Sequence, residues 1–140
     1  MALLVLAYPV RDLAPDAFVA DVSRQAAGCA RIPFVLRWAL PFNDVTGEGT
    51  DVLLVPEEGF SALARLHDRL YAGELAPRLR LDIPTIPHLT VGHSADPHAC
   101  KRLADALNAH PLAISGTITA LDLVVADDRA VRTIARLPLG

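Results

Sequence analysis

The residues best suited to chemistry sit in one stretch, Pro87-His88-Leu89-Thr90-Val91-Gly92-His93. A proline opens it, a glycine closes it, and apolar residues fill alternate positions, which is the pattern of a short strand. Side chains alternate faces along a strand, so His88 and Thr90 share one face while Leu89 and Val91 share the other. With Leu89 and Val91 on a core, an imidazole and a hydroxyl stand together on the opposite side. That pair suits a phosphate: the imidazole passes a proton near neutral pH and the hydroxyl holds a non-bridging oxygen. Among five histidines, chance alone supplies roughly 0.4 matches to H-x-[ST], so the weight lies in the context. Here the context is the preceding proline, the apolar alternation, and Asp96-Pro97 opening a helix just beyond.

The other histidines carry weaker expectations. On a regular strand His93 faces away from His88, although Gly92 can bend the chain there, and it reads as a surface residue. His67 falls on the apolar stripe of a helix and reads as a core-boundary residue, with a spatial substitute for a second acid/base group as the rarer use. His88, His93, Asp96 and His98 lie within eleven residues. Their spacing is poor for a metal, because the first two oppose each other on a strand and the others enter a helix. No C-x-x-C, H-E-x-x-H or Gly-rich phosphate loop accompanies them, and neither a metal nor a cofactor is expected.

The elements that position these residues can be read from periodicity. Residues 3–10 form an apolar run of β type ending near Pro9. A helix follows from Pro15, with Asp16 at its positive end and Val19, Val22, Ala26 and Cys29 on one face. Residues 32–42 alternate as a strand, placing Phe34, Leu36, Trp38 and Leu40 on one face, against helix residues such as Val22 and Leu103, and Val35 and Arg37 on the other. A turn-rich loop, a strand at 51–55 and a helix from Phe60 to about Tyr71 come next. Five acidic residues and no basic one lie between Asp44 and Glu58, the mark of a solvated loop. Residues 74–87 read as a connector, with Arg78 and Arg80 at the surface or near a ligand. After the motif strand, a helix runs from Pro97 to about Asn108, capped by Asp96 and burying Cys100, Leu103, Ala104 and Leu107. Three strands close the chain at 112–118, 120–126 and 130–137, with Asp127-Asp128 as the last turn.

One domain covering residues 1–140 fits a 15.0 kDa chain that is 52% hydrophobic with few aromatics. Net charge is −3, with twelve arginines and one lysine, so there is no positive field for a long nucleic acid, though one or two phosphates need only local donors. Cys29 and Cys100 fit apolar helix faces and read as buried free thiols. The opening apolar run is too short to span a bilayer and lacks a basic flank, so a soluble, cytoplasmic protein is expected.

From about residue 81 to 137, the chain resembles the 2H phosphoesterase superfamily, the group containing 2′-5′ RNA ligase-like proteins and cyclic nucleotide phosphodiesterases. His88 and Thr90 match the second of the two H-x-[ST] motifs that this resemblance implies. The first is missing, since no histidine precedes His67. The resemblance implies a first-motif strand ending in Pro-Phe, which Pro41-Phe42 supplies. Counting back puts Val35 at the histidine position and Arg37 at the Thr/Ser position. Valine can move no proton; arginine can hold an anion with paired donors but is no base at pH 7.

What the resemblance implies for the fold is α+β, with two lobes of antiparallel sheet and flanking helices around a central cleft. The strands at 32–40 and 87–93 would then face each other across one groove. For function it implies metal-independent His acid/base chemistry on a small phosphodiester or 2′,3′-cyclic phosphate, impaired to the extent that the first motif matters. The alternative is a non-catalytic nucleotide- or phosphate-binding module that retains the cleft. The expected partner is a small nucleotide or RNA-end phosphodiester, neither a nucleic-acid polymer nor a membrane.

Overall fold

A computed structural model describes residues 4–140. The described residues form three α-helices, a short 3-10 helix (Ala76–Arg78) and six strands, in the order α1 (Pro15–Gln25), β1 (Ile32–Asn43), β2 (Thr50–Glu58), α2 (Phe60–Leu70), β3 (Leu89–Ser94), α3 (Pro97–Asn108), β4 (Ile114–Ile118), β5 (Ala120–Ala126) and β6 (Val131–Pro138), the 3-10 helix falling between α2 and β3. The architecture is α+β, with helices flanking antiparallel sheets. One sheet has four strands in the order β3-β2-β1-β4, and the other is the β5–β6 hairpin. Among the described residues no helix is long and apolar enough to cross a membrane.

Local chemistry accounts for the element boundaries. Pro15 opens α1, with Asp16 in its first turn and Arg24 in its last, both favourable to the helix dipole. Asp96 caps α3 by accepting the His98 backbone N–H at 2.9 Å. Asp127 Oδ1 accepts the N–H groups of Arg129 and Ala130, closing the β5–β6 turn. Gly59 joins β2 to α2 at φ 87°, where a Cβ would stand 2.5 Å from the Pro33 carbonyl oxygen. Only glycine fits there.

Two cores hold the fold. Val22 of α1 and Ala26 just past its end pack with Leu63, Leu66 and Leu70 of α2, and with Leu121, Leu123 and Leu139. The second core seals α3 to one face of the four-stranded sheet through Leu36, Ala39, Val52, Leu54, Cys100 and Ala104. Each fully buried leucine or valine there contributes about 1.5–3 kcal/mol. Asn108, at the end of α3, accepts the Ala39 N–H and donates to the Ala39 carbonyl, at 2.8 and 2.7 Å. It satisfies the backbone of β1 just where pairing with β4 has stopped, at Leu36 and Ile114.

Four sequence expectations need correction. The run at 3–10 is not a strand: residue 3 lies outside the described residues, and beyond it only Leu4 pairs, with Leu89. The chain it would pair with carries Pro84 and Pro87, which lack the N–H a ladder needs. Strands β1 and β3 do not oppose each other across a groove; they lie in one sheet with β2 between them. Trp38 does not pack beneath β1, because the register shifts between Leu36 and Trp38. One extra residue there reverses the strand's parity, so Leu36 and Ala39 are 1% exposed while Trp38 is 54% exposed. Leu103 of α3 is 42% exposed and not buried; Cys100 and Ala104 form the seal.

Candidate functional site

The site is the face of the four-stranded sheet that turns away from α3. Register decides which side chains share it, because residues paired across antiparallel strands point the same way. Val52 and Leu54 face α3, so Asp51, Leu53 and Val55 face away from it. Thr90 pairs with Leu53 and therefore shares the open face. Leu54 pairs with Leu89, so the next residues along, Val55 and His88, stand side by side on that face. Trp38 pairs with Val55 and Leu40 with Leu53, which adds both to it. On the free edge of β3, Leu4 pairs antiparallel with Leu89, which sets Val5 beside His88. One row across the sheet thus reads Val5, His88, Val55, Trp38.

His88 has a fixed orientation. Its Nδ1 lies 2.6 Å from the Ile86 carbonyl oxygen, and a carbonyl can only accept, so Nδ1 carries the proton. In the neutral ring that leaves the Nε2 lone pair free to take one. Thr90 is exposed beside it, with its hydroxyl available.

A second histidine joins this face, contrary to the alternation of a regular strand. The β2–β3 register shifts between Val52 and Leu53, making Val91 a bulge and carrying His93 onto the side of Thr90. His93 donates Nδ1–H to Asp51 at 2.8 Å, and the far side of its ring, Cε1 and Nε2, lies over Gly49. Gly49 allows this placement, since a Cβ there would stand 2.8 Å from the imidazole. Successive same-face positions on a strand are roughly 6.5–7 Å apart, so Thr90 lies between the two histidines, which are about 13 Å apart at Cα. Gly92 was the only sequence sign of this kink.

The remaining candidates are engaged elsewhere. The fork of Arg37 grips Glu58, with Nε and Nη2 2.7 to 2.9 Å from its carboxylate oxygens, and Glu57 lies 3.9 Å away. That hydrogen-bonded contact, reinforced by opposite charge, raises the guanidinium pKa, and it is also the first cause holding the Glu58 carboxyl below its ordinary value. The acidic stretch expected to be solvated is thus partly spoken for, through Glu58 and Asp51. Val35 shares the open face, two strands from β3, and lines a groove of about 580 Å³ with Glu58, Ala62, Ser115 and Thr117. The Glu58 carboxylate makes that groove a poor host for an anion. His67 is buried, 3.2 Å from the Thr85 hydroxyl, and packs against the Tyr71 ring. Tyr71 in turn accepts the Tyr8 N–H, so His67 helps anchor the segments flanking His88. Arg78 and Arg80 pair with Asp12 and Asp82, and the Arg80 hydrogen bond pulls Asp82 down to about 2. Among the described residues no three metal-ligating side chains come together.

An H-x-T strand with its imidazole oriented and Thr90 exposed lies at the edge of the four-stranded antiparallel sheet of an α+β fold. A family model described as the 2′-5′ RNA ligase superfamily matches residues 4–130. The chain belongs to the 2′-5′ RNA ligase superfamily. No curated protein matches it. Within this superfamily chain the match extends well upstream of residue 81, through α1, β1 and the segment that meets β3 at Leu4. The kinship is therefore not confined to the H-x-T strand.

Proposed function

We propose that this superfamily domain binds a small phosphate ester, of the nucleotide or 2′,3′-cyclic phosphate kind, on the ledge formed by His88 and Thr90. The observation that carries the reading is the His88 ring held through Nδ1 by the Ile86 carbonyl, with Thr90 exposed two residues on. We also place the counterpart of His88 at Val5 instead of Val35. Val5 follows Leu4, whose bridge to Leu89 lies one residue from His88, whereas Val35 is two strands away.

A phosphodiester reaction needs one proton removed and another delivered, and valine does neither. Losing one such partner removes a factor of about 10² to 10⁴ in rate. Binding is therefore the main activity, with turnover far below that of a two-histidine site. Calorimetry with 2′,3′-cyclic AMP in a metal chelator tests this, alongside product analysis. Binding that His88→Ala weakens, without appreciable hydrolysis, is the expected result, and no binding refutes it. Fast metal-independent hydrolysis that His88→Ala abolishes would establish instead the catalytic reading, which the Nδ1–H tautomer of His88 favours.

A further inference from the structure

We propose that Trp38 is the stacking platform for the base of the nucleotide whose phosphate sits at His88 and Thr90. The inference rests on the phosphate-ester reading above and extends it from a phosphate to a base-bearing ligand. Trp38 is the chain's one tryptophan, and the alternation of β1 would have buried it. The bulge at Arg37 instead turns it onto the face of Thr90 and leaves it more than half exposed. A bulge interrupts the ladder locally and re-aims a side chain, a device common beside binding sites.

Its placement relative to His88 suits a nucleotide. Both belong to the row Val5, His88, Val55, Trp38, so two strand spacings separate them, roughly 10 Å. A nucleotide extends over a comparable span from phosphate to base. Between them Leu53 and Val55 are buried, so the sheet under this face is packed, and a base would lie against the exposed indole and not sink between the strands. An indole offers its π-face to any base without reading hydrogen bonds. Arg37, the one cation at the bulge, is held by Glu58 and does not draw the phosphate away from His88.

The single tryptophan makes the test direct. Wild-type protein is titrated with 2′,3′-cyclic AMP and with base-free ribose 5-phosphate, following indole fluorescence and calorimetric heat together. Cyclic AMP should quench or shift the emission, while ribose 5-phosphate binds without doing so. Trp38→Ala should weaken cyclic AMP about ten- to a hundredfold, the size of one base–aromatic stack, and leave ribose 5-phosphate unchanged. Trp38→Phe should restore most of the loss, and a thermal melt of both variants excludes unfolding as its cause. Cyclic AMP binding that is equal in Trp38→Ala, with unmoved emission in wild type, overturns the stacking role and leaves the phosphate site standing. Ribose 5-phosphate and cyclic AMP both failing to bind wild-type protein overturns the two together.

Discussion

Strands β1 and β3 flank the same central strand, and each carries one extra residue, yet the two bulges furnish different things. On β3 the bulge at Val91 gathers polar groups, bringing His93 to the side of Thr90. On β1 the bulge at Arg37 delivers an aromatic ring and an ion pair. What they share lies on the other face. After each bulge the residue turned toward α3 is small: Ala39 on β1, and Gly92 on β3, where a Cβ would come within 3.2 Å of Leu103. Cys100 and Ala104 on the helix are small too. Close helix–sheet packing on one face and the re-aimed side chains on the other therefore come from the same two insertions.

Four changes break or sharpen that comparison. The largest effect is on stability. Leu36→Ala removes a side chain sealed under α3 and should cost about 2–5 kcal/mol in urea unfolding. Trp38→Ala should cost far less, whereas an unbulged β1 would make the two losses similar. Second in size is ligand binding at β3. His88→Ala should weaken a phosphate ester by about 1.5–3 kcal/mol, the worth of a hydrogen bond to a charged group. Val35→Ala should leave affinity unchanged, and an equal loss at both sites would move the phosphate to β1.

The third change tests the bulge on β3. Gly49→Ala drives a methyl against the His93 ring and the Ser94 carbonyl, each 2.8 Å from the new Cβ. Overpacking of this kind costs about 1–3 kcal/mol, and the His93 ring resonances should shift while those of His88 stay put. Unmoved His93 resonances would mean that it does not lie on Asp51. The smallest effect concerns the Arg37–Glu58 pair. Glu58 has its pKa lowered in the folded protein, so its contribution is present above the ordinary glutamate range and disappears as pH falls through the folded value. Stability should therefore decline slightly more on acidification in wild type than in Glu58→Gln. A pH profile identical in both would show the pair to be without energetic weight.

Much of this architecture is legible in the sequence. Helix starts at Pro15 and Pro97, the cap at Asp96, the strands of the C-terminal third and the turn at Asp127 depend on neighbours within a few residues, so local sequence specifies them. The H-x-T strand and the family kinship came from the same short-range pattern. The ends of β1 were legible as well, but not its parity.

Parity, partners and adjacency belonged to the tertiary structure. Period-2 reading assumes an unbroken ladder, and a bulge is settled by how two distant strands and the helix beneath them fit together. Arg37 looked available for phosphate because Glu58, twenty-one residues on, was not visibly its partner. Val35 was matched to the first-motif histidine by counting along one strand, and counting cannot show that β2 lies between that strand and β3. The sequence by itself determined which polar side chains stand on the H-x-T segment; cross-strand pairing decided which of them share a face, because strand adjacency is a long-range property.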